Sequence, residues 1–218
     1  DFFHYGQLGI YHCPNCGFQR PEPDFTASDI YFHDEVYDFD MDGMRIHSTA
    51  RSPYNIYNTL SAYAALCAMD ADKPHFQEMI ENFDYGNNRE SIFTIHNARV
   101  QLHLAKNPIG FQQKISLVLK DPAPKDIIIQ INDTYQDGED VSWLWDVDFQ
   151  YLADANAATI TTNGTRRYDM GLRLKYEDIP CESTTDMEAT IEHLTKNGTK
   201  NLYVIVNYSG LYRTNHLL

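Results

Sequence analysis

From about residue 91 the chain alternates short β-branched runs with stretches of helical period, and this alternation leaves few architectures open. Residues 100–104, 127–131, 158–161 and 202–206 read as strands, and residues 109–119, 166–176, 185–195 and 209–217 as helices. Such an order implies an α/β fold, a mostly parallel sheet covered by helices. The run Ile127-Ile128-Ile129 lacks polar alternation, as a strand buried on both faces requires. A long polar loop follows, with a short helix near residues 149–152. It holds both tryptophans and six acids: Asp133, Asp137, Glu139, Asp140, Asp146 and Asp148. In open α/β sheets functional groups gather just beyond the carboxyl ends of the strands. Large aromatics there can shield a carboxylate from water and fix its direction. The plainer reading is a solvated acidic loop pinned by two buried tryptophans.

The preceding residues follow other rules. Residues 28–48 look like a β-hairpin, with strands over 29–37 and 44–47 around the turn Asp42-Gly43. Ser52-Pro53 opens a helix, with Ser as N-cap and Pro at the first helical position. Tyr57, Leu60, Ala64 and Cys67 form its expected apolar face. A second helix follows Pro74, with Phe76, Met79 and Ile80 inward, and the turn Gly86-Asn87-Asn88 ends it. The change of pattern puts a domain boundary near residues 88–98.

Composition narrows the function classes. With 31 acidic and 17 basic residues, the 218-residue chain carries a formal net charge of −14. It therefore lacks the basic balance that a nucleic-acid backbone needs. No stretch resembles a membrane span or a signal peptide, and no G-x-x-x-x-G-K-[ST] phosphate loop occurs. Of four cysteines, Cys13 and Cys16 form the knuckle C-P-N-C-G. Two thiolates at this spacing grip one edge of a Zn²⁺ ion, and Gly17 permits the tight turn. A closed site needs four ligands; no second Cys pair is present, and His4 and His12 stand at no convincing spacing. A redox pair and an inert pair are the alternatives. Asn55 and Asn58 share a face near a helix start, where carboxamides suit either a nucleotide base or a cap. Arg89 and the edge Lys106-Asn107-Pro108 are open in the same way.

Taken in order, several segments resemble the MurT family, the Mur-ligase-like subunits of lipid II isoglutaminyl synthase. They are residues 11–20 (YHCPNCGFQR), 54–63 (YNIYNTLSAY), 104–110 (LAKNPIG), 131–133 (IND) and 162–173; the most specific is 140–149 (DVSWLWDVDF). The resemblance covers essentially the whole chain. It implies a Rossmann-like Mur ligase C-terminal domain over residues 93–218, contacting a partner. Part of the Mur middle domain is implied over residues 28–92, and the second half of a zinc ribbon over residues 1–27. The first Cys pair and the phosphate loop would lie upstream, leaving this chain incomplete and inactive alone. The implied partner is a GatD-like glutamine amidotransferase subunit. The implied reaction consumes ATP, with Mg²⁺, and glutamine to amidate the D-glutamate α-carboxyl of the lipid II stem peptide. This places the protein in the cytoplasm, at the inner face of the bacterial membrane.

Position by position, Cys13 and Cys16 match the second pair of Zn²⁺ ribbon ligands. Asn55 and Asn58 match the N-x-x-N that approaches adenine, and Arg89 an arginine near the nucleotide. Asp140 matches the acid that completes the partner's Cys-His pair. Glu139, in place of the usual arginine, adds a like charge expected to raise the pKa of Asp140 unless the partner compensates. The rival readings are a non-catalytic interaction domain that docks an amidotransferase-like partner, and a different amide-bond ligase of the Mur or folylpolyglutamate type.

Overall fold

The structure, a computed structural model, describes residues 2–4, 8–34, 36–50, 52–71, 73–83 and 90–218, with side chains for residues 11–34, 36–50, 52–71, 73–83 and 91–218. The chain divides into two compact units. Of the described residues, 10–83 make up one, and 90–218 with 2–4 and 8–9 the other. Strands β1 (Phe2–His4) and β2 (Leu8–Ile10) pair with each other.

In the first unit, β3 (Ala27–His33), β4 (Val36–Met41) and β5 (Met44–His47) form an antiparallel sheet in that order. Asp42 and Gly43 make the β4–β5 turn at φ 47° and 75°, the left-handed pair that matches strand twist in a two-residue hairpin. The strand expected over residues 29–37 is in fact split. Asp34 turns at φ 46°, a conformation Asp tolerates through its short polar side chain, so a three-stranded meander replaces the hairpin. Helices α1 (Pro53–Ala68) and α2 (Phe76–Glu81) follow. The buried face of α1 carries Asn55, Ile56, Thr59 and Tyr63; of the expected face Leu60 and Cys67 pack against the same core, partly buried, and Tyr57 is exposed. The cause is polar: Asn55 and Thr59 occupy inward positions that an apolar period does not register. Met79, expected inward on α2, is exposed, whereas Phe76 and Ile80 join Phe39, Met41, Ile46 and Tyr63 in the core. The turn expected at 86–88 lies outside the described residues.

The second unit carries β6 (Glu90–Ile95), β7 (Ala98–Leu104), α3 (Pro108–Lys120) and β8 (Lys125–Gln130). Two 3₁₀ turns, Ser142–Asp146 and Phe149–Asp154, lead to β9 (Ala157–Asn163) and α4 (Arg167–Lys175). Then come β10 (Glu182–Ser183), α5 (Met187–Lys196), β11 (Asn201–Val206) and α6 (Tyr208–Leu217). The sheet order is β10-β9-β8-β11-β7-β6, parallel except for the antiparallel edge strand β6. Ile127, Ile128 and Ile129 are wholly buried, as their run predicts. Their alternation splits them between two cores. Ile127 and Ile129 join Phe111, Leu144, Phe149, Met170 and Leu174 on one face. Ile128 joins Val100, Leu102, Met187 and Ile191 on the other.

Candidate functional site

The chain leaves β8 toward β9, while β11 turns back through α6, which packs Leu211 and Leu218 on the Val100–Leu102 face. The carboxyl ends of β8 and β11 therefore flank a crevice at which connections diverge, the usual ligand position in such sheets. Here the loop after β8 fills it. The Asn132 N–H donates to Asn207 Oδ1 at 3.2 Å, and Asn207 Nδ2 returns a bond to the Asn132 carbonyl at 2.7 Å. Asn132 Nδ2 donates to Ser209 Oγ at 3.0 Å. Asp137 accepts from the Ser209 N–H at 2.9 Å, at the first turn of α6, and from Thr134 Oγ1 at 2.6 Å. A carboxylate at a helix N-terminus is favoured by the exposed N–H groups and the dipole. On the β9 side, Asp133 accepts from Thr165 Oγ1 at 2.7 Å and pairs with Arg166 Nε at 3.0 Å. Gly164, at φ 94°, lets these strands meet: a Cβ there would stand 2.2 Å from the Ile131 carbonyl oxygen.

Two acids, Asp133 and Asp137, are thus consumed in fixing the loop. Asp148 is half-buried beside Gln150 Nε2, which donates to it at 3.4 Å. It stands at the N-cap position of the second 3₁₀ turn without making the cap bond. Asp140 differs. It is exposed and accepts a bond from the Ser142 N–H at 2.8 Å, at the start of the first 3₁₀ turn. It lines a hollow of about 240 Å³ with Glu139, Val141, Leu144, Trp145, Arg166, Asp169 and Leu172. The Ser142 N–H and then its hydroxyl hold the Asp140 carboxyl below the ordinary carboxylate range. This corrects the expectation drawn from Glu139: hydrogen bonds to the ionised form decide the shift, and the neighbouring charge does not.

The two tryptophans play different parts. Trp143 packs on the core through the Phe111 ring, 5.5 Å between centroids. Trp145, buried in the plainer reading of the loop, is 51% exposed and stands edge-on to Tyr176 at 5.1 Å. The anchor that sequence reading missed is Arg173. It is 5% exposed, and its Nε and Nη2 donate to the carbonyls of Leu144 (3.1 Å) and Val147 (2.8 Å). Its sequence signal was an arginine on the buried stripe of α4, beside Met170 and Leu174.

In the first unit, Asn58 Nδ2 donates to Asn55 Oδ1 at 3.2 Å; Asn55 is buried and Asn58 exposed. Arg89 lies outside the described residues, as does the side chain of His4. Cys13 and Cys16 sit on a tight knuckle. The Cys13 N–H donates to the Phe18 carbonyl at 2.6 Å, the Gly17 N–H to the Cys13 carbonyl at 3.0 Å, and Gly17 turns at φ 74°. The N–H groups of Cys16 and then Asn15 draw the Cys13 thiol pKa down, favouring the thiolate that binds metal. Two thiols on such a knuckle fit one edge of a tetrahedral site. Among the described residues no group of three or more His, Cys, Asp or Glu side chains is placed to hold a metal ion, and no helix is long and apolar enough to cross a membrane.

Solved structures define the class. A pseudomurein peptide ligase type C from Methanothermus fervidus superposes with a TM-score of 0.65 at 18% identity, over 96% of this chain and 44% of that one. MurF from Acinetobacter baumannii gives 0.65 at 13% identity, over 89% and 44%. The fold is therefore that of the Mur-type peptide ligases. The sequence comparisons narrow it: the profile of the MurT ligase C-terminal family matches residues 104–211. The MurT subunit of lipid II isoglutaminyl synthase (glutamine-hydrolyzing) from Streptococcus pneumoniae R6 is 28% identical over 218 residues, 98% of this chain and 49% of that protein. The one from Staphylococcus aureus COL is 30% identical over 187 residues, 82% and 40%. Residues 104–211 belong to the MurT ligase C-terminal family, and the chain spans half or less of the length of these relatives.

Proposed function

We propose that this chain supplies the carboxyl-terminal part of a MurT-type subunit, and that Asp140 is the acid it lends to a glutamine-hydrolysing partner. The subunit works with a GatD-like amidotransferase in the cytoplasm, at the inner membrane face, and the pair amidates the D-glutamate α-carboxyl of lipid II. The observation that carries this reading is the contrast among the loop acids. Asp133 and Asp137 are spent on the loop itself, whereas Asp140 is exposed, ionised and seated at the start of a packed turn. A triad acid has those duties: it orients a histidine, fixes its tautomer and stabilises the imidazolium that forms.

The remaining assignments follow the family. Asn55, Asn58 and Arg89 serve the base side of ATP, and the Asn55–Asn58 carboxamide pair offers the donor and acceptor chemistry a nucleobase edge needs. ATP with Mg²⁺, when bound, supplies the phosphoryl group that activates the carboxylate. Cys13 and Cys16 contribute two thiolates to a structural Zn²⁺ site. Neither a phosphate cradle nor a Mg²⁺ cluster occurs among the described residues, so the isolated chain is expected to turn over no ATP. A phosphate-release assay that detects turnover by this chain alone would sink that expectation.

The test of the central reading is Asp140→Asn in the full-length complex. Folding and complex formation should be retained, and glutamine turnover should fall by orders of magnitude, on the order of 10⁴ if the triad analogy is quantitative. The second reading, a docking module without a catalytic group, is favoured by the exposure of Trp145 at 51% and Tyr135 at 97%, since exposed aromatics mark interfaces. Wild-type glutamine turnover in the Asn variant would establish that second reading.

A further inference from the structure

We propose that Arg173 is the positioning residue for Asp140, holding the turn that presents this carboxylate rather than touching any reacting atom. The inference rests on the reading of Asp140 as the lent acid. Its basis is a charge in an unusual place. Arg173 projects from α4 into the main core, and only 5% of its surface is exposed. A buried guanidinium is costly unless its donors are matched; here the Asp140 loop supplies two backbone acceptors and Glu177 the countercharge.

Nε donates to the Leu144 carbonyl at 3.1 Å and Nη2 to the Val147 carbonyl at 2.8 Å; Nη1 pairs with Glu177 one helical turn on. Leu144 lies within the 3₁₀ turn Ser142–Asp146, and Val147 directly follows that turn. The Val147 carbonyl also accepts from the Phe149 N–H at 2.9 Å, so the planar fork ties the end of the turn at two backbone points, Leu144 and Val147, and joins the second of them to the start of the next 3₁₀ turn. The cation also lies 5.3 Å from the Trp145 ring centroid and 5.6 Å from that of Phe149. The chain of contact to the acid is short: Arg173 holds Leu144 and Val147, and the same turn begins at Ser142, whose N–H holds Asp140. Lysine, a point charge without a fork, would not bridge both carbonyls in this geometry.

The experiment uses the full-length protein in complex with its amidotransferase subunit and follows glutamate release from glutamine. Arg173→Lys and Arg173→Met are made alone and on Asp140→Asn. With Asp140 present, both should lower kcat by about ten- to a hundredfold, the scale of a reacting group misplaced by about an ångström. KM for glutamine should be unchanged, because the partner binds glutamine. On Asp140→Asn the same changes should cost nothing further, since Arg173 acts through that carboxylate. If Arg173→Met fails to fold, Arg173→Lys decides alone. Wild-type kcat in the folded Arg173 variants overturns the proposal, as does a loss that multiplies with that of Asp140→Asn. Wild-type turnover in Asp140→Asn alone overturns the reading beneath it, so the two failures are distinguishable.

Discussion

At the scale of single residues, the site depends on close approach as much as on charge. Gly164 sits at φ 94°, where a Cβ would lie 2.2 Å from the Ile131 carbonyl oxygen and 2.7 Å from Asn132 Oδ1. Backbone cannot yield as a flexible side chain does, so Gly164→Ala carries both a strained φ and an overlap. It should destabilise the second unit by about 2–4 kcal/mol, read as a lower midpoint in urea; an unchanged midpoint would show that the strand ends have room to part. Asp140 makes a pH prediction of defined sign. Its pKa is depressed by the Ser142 bonds, so its contribution is present above the unfolded value of about 3.9 and is lost as pH falls through the folded value. Carbon-13 NMR of the Asp140 carboxyl should place its titration below that of an unfolded-chain Asp, and Ser142→Pro, which deletes the N–H, should bring it back up. Composition marked the loop as a candidate site, but six acids looked alike in it. What separates Asp140 from Asp133 and Asp137 is contact with Thr165, Arg166, Thr134 and Ser209, residues distant in sequence or indistinct within the loop.

At the scale of elements, the parallel strands and their helices were legible because burial on both faces leaves long apolar runs and a clear helical period. The short edges were not. Strand β6 is joined to β7 by His96-Asn97, at φ 46° and 67°, a left-handed pair without the glycine that usually announces such a turn. Strand β10 is two residues long, held to β9 by the register of Glu182 on Thr161, and carries no apolar signal. The β3–β4–β5 meander holds a cluster that no pattern announced. Asp38 accepts from His47 Nδ1 at 2.9 Å and from His33 Nε2 at 3.2 Å. Burial opposes ionisation of Asp38, yet the bonds from His47 and His33 keep its pKa low. The bonds to Asp38 and then Asp34 raise that of His33. Stability from a raised His is fully present below its unfolded pKa, about 6.5, and is lost as pH rises through the folded value. The first unit should therefore weaken as pH climbs above about 6.5. His33 ring resonances should titrate above the free-imidazole value, and Asp38→Asn should lower that titration toward it, with Asp34 still holding part of the shift; a His33 that titrates normally with Asp38 intact would dissolve the cluster. Helix α5 offers a simpler case. Asp186 Oδ1 accepts the Ala189 N–H at 3.0 Å, so Asp186→Ala should cost about 1 kcal/mol of stability.

At the scale of the whole molecule, each compact unit carries a core of its own. Phe39, Met41, Ile46, Ile56, Tyr63 and Phe76 serve the first; the Ile127–Ile129 face and the opposite Ile128 face serve the second. The anchors described for the Asp140 loop, among them Asn207, Ser209, Thr165, Arg166, Arg173 and Phe111, come from the second unit. A carboxylate proposed to serve a partner must hold its place, and a unit with its own core can hold it. This separation predicts how stability is distributed. Ile46 and Ile129 are both wholly buried, one in each unit, and Ile→Val at either should cost about 0.5–1.5 kcal/mol. Native-state hydrogen exchange reads that cost region by region. Ile46→Val should speed exchange of the β4 and β5 amides and leave the slow β8 and β11 amides as they were. Ile129→Val should do the reverse, and should also loosen the amides of the Ser142–Asp146 turn, whose Leu144 packs in the same core. Equal acceleration of every slow amide by either change would mean that the chain unfolds as one cooperative body, and that the loop takes its rigidity from the whole molecule rather than from the sheet that bears it.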